Sequence, residues 1–335
     1  MREKTIKNLI QLGDLFSKTE QFREVFEKAE QQNSWFTSSN LEFAFASWRE
    51  ALSENKVKQW LRAYGTEGRS ASKTVLIIMA GNIPLVGFHD LLCVWVSGHR
   101  AIVKLSSNDR VLLPYLVEQI SNFAPEWAES TLFSDEKISN FDAVIATGSN
   151  NTARYFEYYF GNKPHIIRKN RHSVAVLSGE ETPEELYCLG KDIFQYYGLG
   201  CRNVSKLFVP KGYDFNLLFQ AIYPYKDIIQ EQKYANNYDY NKAVYLMSLF
   251  RLIENGFLLL KEDKGYGSPI ATLFYEYYTD KEAMREELKA KVDEIQCVVS
   301  RGFIKEEIAF GQTQHPTLWD YADGVDTLKF LKEEI

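Results

Sequence analysis

The spacing of apolar residues changes along this chain. Over "TIKNLIQLGDLFSKTEQFREVFEKAEQQNSWFT" they recur every three or four positions, so residues 1 to about 64 read as helices. A polar Gly/Ser-rich stretch, "YGTEGRSAS" at 64–72, reads as a connector. From residue 73 short continuous apolar runs take over. "KTVLIIMAG", "RAIVKLSS" and "FDAVIATGS" have the composition of strands buried on both faces. "NIPLVGFHDLLCVWVSGH", "NDRVLLPYLVEQISNFAP" and "NNTARYFEYYF" follow them with helical spacing. Strand and helix alternating over about 100 residues predict a doubly wound α/β domain.

A further strand, "SVAVLSG" (173–179), precedes "TPEELYCLGKDIFQYYG". That helix start is marked by Thr182 as N-cap, Pro183 in the first turn and glutamates after it. "SKLFVP" opens a second α/β region ending near residue 300. The tail reads as short strands and turns, then a terminal helix. The segments are 1–72, helical with the connector; 73–175, the first α/β domain; 176–300, the second; and 301–335, a tail packing back on them.

Composition narrows the function classes. The chain has 335 residues, 45% apolar and 25% charged, with a net charge of -6. It lacks the basic field that would attract nucleic acid. No apolar run approaches the roughly 20 residues of a membrane span. The opening "MREKTIKNLIQLGDLF" is too charged for a secretory signal. Cysteines 93, 188, 201 and 297 show no metal-binding or paired spacing, with each other or with the five histidines. Scattered thiols fit a reducing, cytoplasmic compartment. His172 and His315 lie in polar segments and read as surface residues.

Four places carry candidate chemistry, and each has a plainer reading. In "GLGCRNVSKLFVP", Cys201 sits at a glycine-flanked bend between a helix and a strand. A reachable thiolate there is a nucleophile, and the N–H of residue 201 is half an oxyanion hole; alternatively the bend is a helix C-cap holding an inert cysteine. Asn82, in "MAGNIPLVGF", ends the first α/β strand, where open sheets bind ligands; Asn-x-Pro is also ordinary turn chemistry. Lys104, Ser106 and Ser107 end the second strand in "AIVKLSS", suiting a ribose or its phosphate, or simply solvent. Thr147, Gly148 and Ser149 lead into a helix that offers its N-terminus to a pyrophosphate, although GxGxxG is absent. The 20 tyrosines and 22 phenylalanines are core residues or the lining of an apolar channel.

The order strand–Asn-x-Pro, strand–Lys, strand–Thr-Gly-Ser–helix, Gly-x-Gly-Cys resembles the aldehyde dehydrogenase superfamily. Within it, "MAGNIPLVGFHDLLCVWVSGHRAIVKLSSND", "GCRNVSKLFVP" and "FGQTQHPTLWDYADGVDTLKFL" resemble the acyl-CoA reductase family, typified by the fatty-acid reductase (LuxC-type) of bacterial luminescence systems. The resemblance covers roughly residues 73 to 330. It implies an aldehyde dehydrogenase-like fold of two doubly wound α/β domains with a helical N-terminal extension. The first would bind the nucleotide and the second carry the nucleophile. Cys201 would accept the acyl group and Asn82 would donate to the oxyanion. Lys104, Ser106 and Ser107 would meet the adenosine ribose or its 2′-phosphate, and Thr147, Gly148 and Ser149 the pyrophosphate. The implied reaction is NAD(P)H-dependent reduction of an acyl-CoA thioester to an aldehyde, with CoA as part of the substrate. A homo-oligomer, or a partner protein that supplies or takes acyl groups, also belongs to what the resemblance implies.

Two departures from the superfamily pattern refine this. NAD-preferring members carry a glutamate where Ser107 stands. Its loss removes repulsion towards a 2′-phosphate, pointing to NADPH, with NADH as the alternative. Hydrolytic members carry a glutamate base where "RKNRHSVAVL" aligns, and here Arg168 takes that place, which favours thioester-to-aldehyde chemistry. Arg168, Lys169 and Arg171 read either as a CoA-phosphate contact or as a solvated basic loop. Reduction of an acyl phosphate on the same fold is the nearest alternative. A non-catalytic binding protein on a degenerate dehydrogenase fold is the alternative of another class.

Overall fold

The computed structural model describes residues 2–65, 71–136 and 138–335. Part of the expected connector, residues 66–70, lies outside them. Four helices come first: α1 (Arg2–Phe16), α2 (Arg23–Gln32), α3 (Ser38–Ala51) and α4 (Glu54–Arg62). There follow β1 (Thr74–Ile78), α5 (Phe88–Ser97), β2 (Arg100–Lys104), α6 (Leu112–Ile120), α7 (Pro125–Glu129), β3 (Thr131–Phe133), β4 (Ala143–Thr147), α8 (Asn150–Phe160) and β5 (His165–Arg168). The second half holds β6 (His172–Val176), α9 (Pro183–Phe194), β7 (Val204–Pro210), α10 (Phe215–Ile222), α11 (Gln232–Met247), β8 (Leu252–Glu254), β9 (Leu259–Glu262), β10 (Thr272–Tyr278), α12 (Lys281–Ala290) and β11 (Ile295–Val299), before a last helix, α13 (Thr327–Glu333). Among the described residues, no helix is long and apolar enough to cross a membrane.

The chain forms two compact units, residues 1–170 with 316–335, and residues 171–315. In the first, five parallel strands run in the order β3-β2-β1-β4-β5. Alternate side chains of β1 serve opposite faces, as strand geometry requires. Val75 and Ile77 join a large core with α1 to α6 and α13, while Leu76 packs with Val144, Ala146 and Phe141 on the other face. The N-terminal helices therefore share one core with the sheet. Gly98, at φ +80°, ends α5 in the left-handed conformation and turns the chain into β2.

The C-terminal segment is fastened to this unit by buried and half-buried polar bonds. Trp60 Nε1 donates to the Tyr321 hydroxyl (2.7 Å), and the Tyr64 hydroxyl donates to Asp326 (2.7 Å). His99 takes the Lys73 N–H on Nδ1 and so donates from Nε2 to the Leu331 carbonyl at 2.7 Å. That arrangement defines one neutral tautomer.

The second unit is a six-stranded sheet ordered β11-β6-β7-β10-β9-β8, parallel except for the β8–β9 pair. One face is covered by α9 and α10 and the other by α12. Helix α9 starts as its sequence predicts, with Thr182 and Glu185 forming a reciprocal capping box.

Phe88 is fully buried at the first turn of α5, with its ring against Phe16, Trp48 and Trp95. Truncation leaves a cavity between the N-terminal helices and the sheet. Phe88→Ala is expected to cost about 3–5 kcal/mol in chemical denaturation; a loss under about 1 kcal/mol would mean that the core closes over the gap.

Candidate active site

In the first unit, the parallel order carries the carboxyl ends of β1, β2 and β4 to one edge. With β1 flanked by β2 and β4, this is the switch point at which open α/β sheets bind ligands. Asn82 is exposed in the loop after β1, and Lys104 and Ser107 are exposed at and after the end of β2, with Ser106 half-buried between them. The two loops press together closely. The Met79 N–H bonds the Lys104 carbonyl at 3.0 Å. A Cβ on Gly81 would lie 2.6 Å from the Ser106 Cβ, so only glycine fits there.

Asp109 holds the same loops from beneath. It is 7% exposed, and its Oδ2 accepts from the N–H of Leu85 at 3.3 Å, where the backbone is left-handed at φ +56°. Its Oδ1 has no hydrogen-bond partner. Burial pushes its pKa up to about 6, against the pull of the backbone donors. The nearest carboxylate after Ser107 therefore points inwards.

At β4, Thr147 and Gly148 are half-buried and Ser149 is exposed. Ser149 caps α8, accepting from the Thr152 N–H at 3.2 Å. The Gly148 N–H bonds the Arg168 carbonyl at 3.3 Å. These two groups are thus engaged within the fold, and the N-terminal end of α8 lies at the same edge.

Arg168 corrects the expectation of a solvated basic loop. It ends β5, is 5% exposed, and forms a two-pronged pair with Asp90 of α5 at 2.5 and 2.9 Å, plus a bond to Thr327 Oγ1 at 2.9 Å. A guanidinium so enclosed neither meets a CoA phosphate nor acts as a base, because it does not lose its proton. Lys169 pairs with Glu157 at 2.9 Å, and Arg171 donates to the Val292 carbonyl at 3.0 Å. His172, expected at the surface, is half-buried in β6 with Gly267 against its ring.

In the second unit Cys201 is exposed, whereas Cys297 is buried and Cys188 intermediate. Helix α9 gives way to a short turn in which Tyr196 (φ +52°), Tyr197 (φ +58°) and Gly198 (φ +78°) are all left-handed. For the two tyrosines this conformation costs on the order of 1–3 kcal/mol each. A tight turn follows, closed by the Asn203 N–H on the Gly200 carbonyl at 3.0 Å, with Cys201 and Arg202 at its centre. The Cys201 carbonyl accepts from Ser173 Oγ at 2.9 Å.

Arg202 Nε donates to the Thr313 carbonyl at 2.5 Å. The 311–313 turn is anchored in addition by Asp192, which accepts from the Gly311 N–H (2.6 Å), the Thr313 N–H (3.0 Å) and the Thr313 hydroxyl (2.8 Å). Burial raises the Asp192 pKa even so. Asn203, Asp192 and Asp90 were not singled out from the sequence. The available sequence signal for Asn203 is its place two residues after the cysteine.

No family model matches this chain, and no curated protein matches it in sequence. Solved structures do. The indole-3-acetaldehyde dehydrogenase AldA of P. syringae, described in complex with NAD+ and IAA, aligns over 90% of this chain and 72% of its own, with a TM-score of 0.65 and 12% identity. The aldehyde dehydrogenase KauB from Pseudomonas aeruginosa aligns over the same shares, with a TM-score of 0.63 and 14% identity. Aldehyde dehydrogenase 21 from Physcomitrella patens, in complex with the product succinate, aligns over 90% of this chain and 73% of its own, with a TM-score of 0.63 and 10% identity. The fold is that of the aldehyde dehydrogenases. At such identities the likeness concerns the fold, and the chemistry has to be argued from the residues of this chain.

Two measurements check these groups. Arg168→Ala strands the Asp90 carboxylate in the core and is expected to cost about 3–5 kcal/mol, whereas an apolar pair replacing both residues should cost far less. Asp109 binds its proton more tightly folded than unfolded. The stability it contributes is full below about pH 4 and lost as pH rises through about 6. Unfolding followed across pH 4–7 should show Asp109→Asn gaining on the wild type as pH rises; parallel curves would refute the shift.

Proposed function

We propose that this chain reduces an acyl-CoA thioester to an aldehyde through a covalent acyl-enzyme on Cys201. The observation that carries the reading is the exposed thiol in a bend held after a strained left-handed turn, on an aldehyde dehydrogenase-like fold. Strained backbone persists where surrounding structure over-determines it, and such places cluster at functional sites.

In this reading the Cys201 thiolate adds to the acyl carbonyl. The C–S bond to CoA breaks, CoA leaves as a thiolate that takes up a proton, and the acyl group remains as a thioester on Cys201. Asn82 and the N–H of residue 201 keep the roles that the resemblance implies, as donors to the oxyanion, each worth roughly 3 kcal/mol in comparable sites. A reduced nicotinamide dinucleotide held at the β1–β2–β4 edge would supply the hydride. Reduction then returns the sulfur as leaving group and releases aldehyde.

Reduction rather than hydrolysis is supported by Arg168, a buried cation paired with Asp90 where the superfamily pattern would need a carboxylate base. NADPH rather than NADH is supported by exposed Ser107 and Lys104 and by the inward-turned Asp109. Gly81 supports a dinucleotide at this edge, because its missing side chain lets the loops after β1 and β2 close together. Lys104 and Ser106 would serve the ribose and its phosphate, and the N-terminus of α8 the pyrophosphate.

The test is NADPH oxidation across acyl-CoA chain lengths, with an acyl phosphate as the competing substrate. Cys201→Ala is expected to lose the acyl adduct in intact-mass spectra and all turnover while binding NADPH as before. Turnover retained by that variant, or faster reduction of the acyl phosphate, would overturn the reading. In a binding titration NADPH should exceed NADH by roughly tenfold or more, and Lys104→Ala should erase most of the difference; equal affinities would refute the cofactor assignment.

A further inference from the structure

The side chain of Asn203 is bonded in three directions at the base of the cysteine bend. Its Oδ1 accepts from the Gly200 N–H at 2.9 Å. Its Nδ2 donates to the carbonyls of Asp192 (3.0 Å) and Gln195 (2.8 Å), with Ile193 at 3.4 Å. The residue is 3% exposed, so its amide is bonded wholly within the protein. One buried amide thus joins the end of α9, the entrance to the left-handed turn at Gln195, and Gly200, next to the cysteine.

We propose that Asn203 is the positioning residue of this site: it holds the left-handed Tyr196–Tyr197–Gly198 turn and so fixes the direction in which Cys201 is presented. Two tyrosines in that conformation would relax unless something opposes them. Among the bonds that span the turn are those of the Asn203 side chain and the Leu199 N–H on the Tyr196 carbonyl at 3.1 Å. An asparagine suits this place because it alone among similar-sized side chains offers an acceptor and two donors at once. Aspartate would keep the bond from Gly200 and set a carboxylate against carbonyl oxygens. The role rests on Cys201 being the acyl acceptor, and the experiment separates the two ideas.

Asn203→Ala and Asn203→Asp are compared with the wild type by three readouts. Amide exchange over residues 195–203 should accelerate roughly tenfold, with β7 and the middle of α9 unchanged. Iodoacetamide alkylation of Cys201, mapped by peptide mass, should slow by roughly threefold or more. Cys201 is exposed in the held bend, so losing that hold is expected to slow the reagent's approach. With an acyl-CoA substrate, kcat should fall by roughly 10- to 100-fold while KM and NADPH affinity hold.

A merely structural role would lower the melting temperature and leave the alkylation rate and the kcat-to-KM split as they were, which would overturn the proposal. Unchanged exchange over 195–203 would overturn it too. If the wild type reduces no acyl-CoA, the reading of function fails, and exchange and alkylation still decide the role of Asn203. Should Asn203→Ala fail to fold, the isosteric Asn203→Asp carries the same expectations.

Discussion

In a parallel sheet every strand leaves by the same edge, and the chain must cross a face before it can pair again. That constraint gathers the candidate residues of the first unit. Asn82, Lys104 with its serines, and the Thr147–Ser149 turn lie tens of residues apart in sequence, yet they share one edge because β1, β2 and β4 run the same way. The close approach of the first two loops then depends on Gly81, and the shape of the first loop on Asp109 beneath it. In the second unit the nucleophile candidate is different in kind. Cys201 precedes a strand, at the amino end of β7, so strand direction alone does not place it. Its place comes from a turn held by side-chain bonds.

The Arg168–Asp90 pair shows how a structural demand limits chemistry. A buried ion pair is poor evidence of net stability, because desolvation offsets much of the attraction. Here the geometry is two-pronged and a third bond goes to Thr327, so three elements, β5, α5 and α13, meet at one guanidinium. A cation so committed has no part left for catalysis. On the proposed reading, where Arg168 stands in place of a hydrolytic enzyme's base, that position is given over to packing.

Much of the fold was legible because its strands are continuous apolar runs bounded by glycine, as "KTVLIIMAG" and "FDAVIATGS" show, and because α9 spells its own start in Thr182, Pro183 and Glu185. Strands β3 and β5 were not legible. They are three and four residues long at the sheet edges, too short for either period to appear. Within the basic run at 168–171, Lys169 is exposed as a solvated loop would have it, and Arg168 misled for a related reason. Charge density suggests solvent, and only the fold reveals that Asp90, 78 residues earlier, stands opposite Arg168. Of the candidate site, residue types and loop positions were readable. The commitments of individual groups were not, among them the Gly148 N–H on a neighbouring strand and the inward turn of Asp109, because each depends on a partner distant in sequence.

The bend at Cys201 marks the limit of what local signals carry. Glycines 198 and 200 suggest a tight turn, and Gly198 is indeed left-handed at φ +78°. Nothing in "QYYGLGC" announces that both tyrosines share that conformation, since propensity alone argues against it. Strain of this kind is stored only where bonds elsewhere exceed its cost, and the buried amide of Asn203 is placed to supply them. A free helix end would have been satisfied by water or by a further turn. Closing it instead with a side chain from beyond the cysteine ties the helix end, the turn and the cysteine bend together. If Cys201 is the nucleophile proposed here, one that must meet a carbonyl within a few tenths of an ångström gains more from such a hold than it loses to a strained turn.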